Sequence, residues 1–103
     1  MKSTIKNKTY DTETATNIAE ASNDAPGNDF RAWWETLYLT SKGNWFLHAR
    51  GGPLSKHAVN IYNGSTWGDF TVPMDREQAL AWCSENNAQE AIDKHFSDLV
   101  EEA

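Results

Sequence analysis

Two runs of aromatic and β-favouring residues, separated by four turn-forming residues, constrain this fold more than any other feature of the sequence. The runs cover residues 33–40 and 45–50, and Ser-Lys-Gly-Asn lies between them. Gly43 in that turn supplies the positive φ angle that a short hairpin loop favours. The sequence therefore predicts an antiparallel β-hairpin at the centre of the chain.

Alternation along the two strands predicts which face of this hairpin is buried, because successive side chains of a strand point to opposite faces. The more apolar face, on which we expect helices to pack, carries Leu37, Leu39, Trp45 and Leu47. The opposite face, expected to be half exposed or covered by a loop, carries Trp34, Tyr38, Phe46 and His48. A third strand is expected at residues 67–72, with a bulge or a short edge strand at Gly68 and an end at Pro73.

Helical signals lie on both sides of these strands. An N-terminal helix is predicted from an N-cap at Asp11 or Thr12 to Ser22, and a short turn of helix is predicted after Ser55. Asp75 and Gln78 form a capping-box pattern for a third helix.

The last predicted helix begins at Asn87, which repeats the capping pattern with Glu90. Its apolar stripe follows helical spacing without a gap and consists of Ala88, Ala91, Ile92, His95, Phe96, Leu99 and Val100. The predicted fold is α+β, with an antiparallel three- to four-stranded sheet built on the central hairpin and three to four short helices. We expect a single domain over residues 1–103, in which residues 1–9 form a flexible or edge-strand N-terminus.

Charge is distributed unevenly along the chain. Residues 1–60 carry seven basic and six acidic side chains, whereas residues 61–103 carry two basic and nine acidic ones, for a total of −6. An acidic C-terminal third argues against binding nucleic-acid phosphates directly, because that binding needs clustered Lys and Arg. Two interpretations stay open: the charge keeps a small protein soluble, or it docks on a basic surface.

The residues that could carry chemistry do not form a recognisable catalytic or metal-binding pattern. His48, His57 and His95 lack metal-ligand spacing, and the single Cys83 is expected to be a small buried hydrophobe. Glu35 is the one acid within an aromatic strand, and it is expected to pair with a Lys or Arg side chain, for which Arg50 across the hairpin is a candidate. We therefore predict no enzyme, no cofactor and no metal. No apolar run approaches the roughly 20 residues that span a bilayer, and no secretory signal is evident, so a cytoplasmic protein is expected.

Several short strings of this sequence resemble one recurrent set of motifs. They are residues 10–15 (YDTETA), 35–38 (ETLY), 42–48 (KGNWFLH) and 51–58 (GGPLSKHA), followed by the spaced residues Pro73, Ala79 and Trp82. The set is similar to that of small, mostly uncharacterised proteins carried by prophages and other mobile elements of bacteria. The chain differs from the usual pattern at Ala49 and Arg50, where a Gly and an acid are frequent, and at His57, where Tyr is commoner.

The resemblance implies a genetic setting, in which small acidic proteins include inhibitors of host defence such as anti-CRISPR proteins. The first hypothesis is therefore an inhibitor that occupies a basic nucleic-acid-binding surface of a host protein complex, with a CRISPR–Cas effector as the suspected partner. The carboxylates that would replace phosphates are Glu90, Asp93, Asp98, Glu101 and Glu102.

The alternative hypothesis is a non-enzymatic regulatory or interaction domain of a mobile element that binds a protein partner through the aromatic hairpin face. Its anchors would be Trp34, Tyr38, Phe46 and His48. Under either hypothesis we expect a monomer or weak homodimer in the cytoplasm of the bacterial host, with no membrane and no direct nucleic-acid contact.

Overall fold

The computed structural model describes all 103 residues and shows an α+β protein with antiparallel sheets and two α-helices. The strands are β1 (Lys2–Ile5), β2 (Lys8–Asp11), β3 (Thr16–Ser22), β4 (Trp33–Leu39), β5 (Trp45–Gly51), β6 (Val59–Ile61), β7 (Gly64–Thr66) and β8 (Gly68–Met74). The helices are α1 (Arg76–Glu85) and α2 (Gln89–His95), followed by a 3₁₀ turn at Ser97–Leu99. The main sheet has the order β3-β4-β5-β8, while β1-β2 and β6-β7 form separate two-stranded sheets.

The central hairpin is confirmed. Strands β4 and β5 pair without interruption from Trp33 opposite Gly51 to Leu39 opposite Trp45. Gly43 has a φ angle of +84°, the conformation expected of it in the turn. The apolar face also packs as predicted, because the core unites residues of β4 and β5 with residues of both helices: Leu37, Trp45, Leu47, Ala49, Ala79, Trp82, Cys83, Ala91, Ile92 and Phe96.

Local signals define α1 at both ends. The Asp75 carboxylate accepts from the backbone N–H of Gln78, and the Gln78 side chain accepts from the N–H of Asp75, which completes the predicted capping box. At the other end, Asn87 has a φ of +56° and its N–H donates to Ser84, while the Ala88 N–H donates to Cys83. This pair of bonds is a Schellman motif, so Asn87 terminates α1.

The predicted cap and length of the last helix are therefore wrong. The N-cap of α2 is Ala88, which makes no side-chain cap, because Asn87 is in the left-handed conformation rather than the extended one that N-caps adopt. The helix ends at His95, whose carbonyl accepts from the Arg76 guanidinium at 2.8 Å. The apolar stripe is buried only as far as Phe96, and Leu99 and Val100 are 41% and 48% exposed.

The predicted N-terminal helix is a strand, so the protein has two α-helices rather than three or four. Residues 16–22 form β3, which pairs with β4 and contains a bulge between Asn17 and Ala19. The bulge breaks strict alternation and places the consecutive residues Ile18 and Ala19 against the core. That interruption made the apolar spacing of this segment resemble a helix. The helical turn expected after Ser55 is also absent, and β6 follows a non-helical turn there.

The outer face of the main sheet is covered in part by the N-terminal hairpin of β1 and β2. Tyr10 of β2 is buried and its ring meets the Phe46 ring edge-on, with 5.4 Å between the centroids. The hydroxyl of Thr71 in β8 donates to that of Ser3 in β1 at 3.1 Å. The N-terminal residues thus pair with one another and pack on the sheet, instead of extending its edge.

Two glycines allow backbone segments to approach one another closely. A Cβ atom at Gly52 would lie 2.2 Å from the carbonyl oxygen of Phe30, and one at Gly68 would lie 1.8 Å from that of His57. Strand β8 pairs with β5 in continuous register from Gly68 to Met74. Of the two alternatives expected at Gly68, the bulge is absent and the edge strand is present, and the strand continues through Pro73 instead of ending there. Proline is tolerated there because β8 is an edge strand.

Replacing Gly52 by alanine is expected to lower the free energy of unfolding by about 1–3 kcal/mol, since the new methyl group would overlap a backbone carbonyl. Urea denaturation measures this change. Gly27→Ala is the matched control, because its Cβ would make an ordinary 3.9 Å contact with Trp34. Equal stability of the two variants would contradict the close approach at Gly52.

Candidate functional site

A buried carboxylate joins β4, α1 and the loop between β5 and β6. Glu35 is 5% exposed on the helix-covered face of β4. Its Oε1 accepts from the indole Nε1 of Trp82 at 2.9 Å, and its Oε2 accepts from His57 Nε2 at 2.5 Å and from Lys56 Nζ at 3.2 Å. The residues opposite Glu35 on the neighbouring strands are Ala21 and Ala49, whose small side chains leave room for these donors.

The electrostatics of this cluster keep Glu35 ionised at neutral pH. Burial by itself raises the pKa of the Glu35 carboxyl, but hydrogen bonds from Trp82, His57 and Lys56 outweigh it and hold the pKa below its usual range. An ionised carboxylate only accepts hydrogen bonds, so Nε2 is the protonated nitrogen of His57 in this contact. The Lys56 ammonium also lies 3.8 Å from the centroid of the Trp33 ring.

The predicted pairing of Glu35 with a Lys or Arg side chain is confirmed, but the basic partner is Lys56 and the candidate Arg50 is wrong. Arg50 stands opposite Trp34, on the other face of the hairpin, and its guanidinium lies 5.2 Å from the Trp34 ring. The sequence does not indicate Lys56 and His57 as partners of Glu35, because their loop folds back over the sheet only in the tertiary structure. The one sequence signal for these two residues is the motif string at residues 51–58, which does not show that they contact Glu35.

The Glu35–His57 pair has the geometry by which a carboxylate orients an imidazole, as in nucleophile–base–acid triads. No hydroxyl or thiol hydrogen-bonds to this imidazole, however. The nearby Ser55 Oγ donates to the Gly52 carbonyl and accepts from the His57 backbone N–H. The His57 ring packs edge-on to Trp33 and Phe70, at centroid distances of 6.3 and 6.5 Å. The arrangement therefore fastens the loop to the sheet.

The structure exposes all five carboxylates proposed to replace phosphates, namely Glu90, Asp93, Asp98, Glu101 and Glu102. It does not bring them onto one helical face, because α2 ends at His95 and Glu101 and Glu102 follow in irregular chain. Asp98 forms a two-bond ion pair with Arg76 at 2.8 and 2.5 Å, and these hydrogen bonds lower its pKa. Asp93 accepts from the Gln89 side chain at 2.8 Å.

The aromatic hairpin face is less accessible than the second hypothesis requires. Phe46 is fully buried beneath Tyr10 and stacks on Tyr38 at 5.1 Å, so Phe46 is removed from the candidate anchors. His48 is hydrogen-bonded to Asp69 at 2.7 Å. What remains on this face is the half-buried group Trp34, Tyr38 and His48.

The remaining reactive side chains take structural places. Cys83 is fully buried, which raises the pKa of its thiol, as expected for a small core residue. His95 packs at the edge of the core with its ring 5.6 Å from that of Trp45, and its pKa is lowered by burial and by the neighbouring Lys94. No three His, Cys, Asp or Glu side chains are grouped so as to hold a metal ion.

No helix is both long and apolar enough to cross a membrane. No protein-family model, curated protein or solved structure matches this chain.

Proposed function

We propose that the protein is a non-enzymatic inhibitor that docks its acidic helical layer on a basic, nucleic-acid-binding surface of a host protein complex. The acidic helical layer comprises the exposed carboxylates of residues 75–103: Asp75, Glu77, Glu85, Glu90, Asp93, Asp98, Glu101 and Glu102. One observation carries the proposal. Of these eight carboxylates, only Asp98 forms an ion pair within the protein.

The cations of the same region do not neutralise this layer. Residues 75–103 contain two basic side chains, and Arg76 is already engaged by Asp98, which leaves Lys94. Surfaces that hold nucleic acid carry clustered Lys and Arg. These cationic side chains attract carboxylates as well as phosphates. Association of this kind is steered electrostatically and weakens as salt screens the charges.

The motif resemblance supplies the class of partner. Proteins of prophages and mobile elements meet the defence systems of the bacterial cytoplasm, and a CRISPR–Cas effector contains a basic channel for nucleic acid. The proposed activity is therefore of the anti-CRISPR type, with the inhibitor occupying a site that would otherwise receive nucleic acid.

The variant Glu90→Lys/Asp93→Lys/Glu101→Lys tests the proposal. We expect the parent to block target-DNA binding by a purified CRISPR–Cas effector complex, and the variant to lose at least about tenfold in inhibitory potency. Its fold should persist, since exposed substitutions usually change stability by within about 0.5 kcal/mol each. DNA-binding assays at two salt concentrations measure the loss of inhibitory potency and show how far salt weakens inhibition.

A second variant controls for the number of lysines added. Glu13→Lys/Ser41→Lys/Tyr62→Lys introduces three lysines at exposed positions outside the acidic helical layer and should inhibit like the parent. Inhibition that survives the first triple change and is insensitive to salt would refute acidic docking, and would favour Trp34, Tyr38 and His48 as the contact. Failure of the parent to inhibit effectors of any type tested would refute the assignment to CRISPR–Cas.

A further inference from the structure

The two edges of the main sheet differ in how far they are protected. Strand β8 at one edge contains Pro73, which has no N–H to offer, and its Thr71 side chain is engaged by Ser3. Strand β3 at the other edge contains neither proline nor lysine, the residues that commonly blunt an edge. No hydrogen bond outside the β3–β4 ladder reaches the backbone of residues 16–22.

The open part of this edge is regular enough to accept another strand. The bulge between Asn17 and Ala19 disrupts the start of β3, whereas residues 19–22 pair with β4 in unbroken register. In a strand with a neighbour on each side, all outward-pointing backbone N–H and C=O groups are hydrogen-bonded. In β3, the groups that point away from β4 have no partner from the chain. Such an edge is a template for an extended peptide.

The charged residues around β3 indicate which charge a peptide segment bound along this edge would carry. A groove of about 640 Å³ runs along the regular part of the strand, and its charged lining residues near the surface are Glu20, Asp24, Glu85 and Arg50. Arg50 is held over the Trp34 ring, and none of the three carboxylates is in an ion pair. Glu85 belongs to the acidic helical layer, so the groove continues that layer onto the edge of the sheet.

We propose that β3 binds an extended, lysine- or arginine-rich segment of a partner protein as an added strand. The backbone of that segment would pair with residues 19–22, and its basic side chains would reach Glu20 and Asp24 near the strand and Glu85 on α1. The basic character of the partner rests on the proposed function. Strand addition goes further, because it names the part of the partner that is recognised. Self-pairing of two copies is disfavoured because it would bring these carboxylates together with their own equivalents.

The probe is a synthetic eight-residue peptide with the sequence Lys-Lys-Thr-Thr-Lys-Lys-Thr-Thr, which as a strand places lysines on both faces of the sheet, as contact with both Glu20 and Glu85 requires. We expect it to slow hydrogen exchange of the outward-pointing β3 amides at least tenfold, as measured by NMR on the full chain. A peptide of equal charge in which proline replaces threonine cannot form the ladder and should give no such protection. Equal binding of both peptides, or protection confined to other elements, would overturn strand addition. Protection of β3 in a dimer without peptide would also overturn it, since the occupant would then be a second copy.

Two charge-neutralised variants locate the contact. Glu20→Gln/Asp24→Asn/Glu85→Gln should weaken peptide binding at least tenfold, whereas Glu77→Gln/Asp93→Asn/Glu101→Gln, which removes as many charges elsewhere, should bind the peptide like the parent. Equal weakening by both variants would show general charge attraction and refute the assignment to this groove. The outcome is separate from that of the inhibition assay, because the peptide measurement contains no defence complex.

Discussion

Replacing Glu35 by alanine is expected to lower the free energy of unfolding by about 3–5 kcal/mol, the range for breaking a buried charged network by removing one partner. The substitution takes away the acceptor of Trp82, His57 and Lys56 together. Lys56 is partly exposed and can turn to water, but the indole N–H of Trp82 is buried and cannot. Chemical denaturation measures the loss. Glu20→Ala, at an exposed position of β3, is the control and should change stability by within about 0.5 kcal/mol.

The same carboxyl should give the folded protein a defined acid sensitivity. Because the pKa of Glu35 is lower in the folded protein than in the unfolded chain, its stabilisation is complete above the unfolded value of about 4.3 and is lost as the pH falls through the folded value. Glu35→Gln keeps the shape but does not titrate. The stability difference between parent and Glu35→Gln should therefore shrink as the pH falls below about 4.3. The pKa values of Asp29 and Asp98 are also lowered, but both residues titrate in the parent and in the variant. Their contributions therefore cancel in the stability difference. A difference that is independent of pH would contradict an ionised Glu35.

Truncation of two large aromatic core residues, Trp82 of α1 and Phe96 directly after α2, is the second large effect. Trp82→Ala and Phe96→Ala should each lower the free energy of unfolding by about 3–5 kcal/mol, because both side chains are buried against the sheet. Thermal and urea denaturation measure the change. Melting temperatures unchanged by both substitutions would show that the helices do not pack on this face.

A milder substitution separates packing from hydrogen bonding at Trp82. Trp82→Phe retains most of the apolar volume but removes the N–H that Glu35 accepts, so it should lower the free energy of unfolding by about 1–3 kcal/mol. Trp67→Ala is the control for the ring-removing substitutions Trp82→Ala and Phe96→Ala; Trp67 is 42% exposed and lies outside the core cluster, so its loss should lower the free energy of unfolding by less than either.

The central hairpin and α1 could be predicted because their signals are local. Residues 41–44 form a turn through a glycine at positive φ, and Asp75 and Gln78 close a capping box, whatever packs around them. The pattern of apolar residues on β4 and β5 also selected the face that the helices cover. These features depend on contacts between residues close in sequence, or on alternation along a single strand, and both can be read from the chain.

Elements with weak local preference were decided by tertiary contacts. Residues 16–22 carry small and polar side chains that fit either a helix or a strand, and pairing with β4 across a bulge makes them β3. Asn87 satisfied a helix-start pattern, yet its left-handed conformation closes the preceding helix. The N-terminal hairpin buries Phe46 through Tyr10, a contact between segments 36 residues apart that no periodicity could reveal.

For the candidate sites, the sequence by itself determined the acidic balance of residues 75–103 and the unusual position of Glu35 within an aromatic strand. Only the tertiary structure decided that Lys56, His57 and Trp82 meet Glu35, and that β3 is an open edge beside carboxylates without ion-pair partners. The physical reason is the same in both cases. Charge and residue type belong to the chain, whereas burial, hydrogen-bond partners and unpaired edges depend on which distant segments the fold places together.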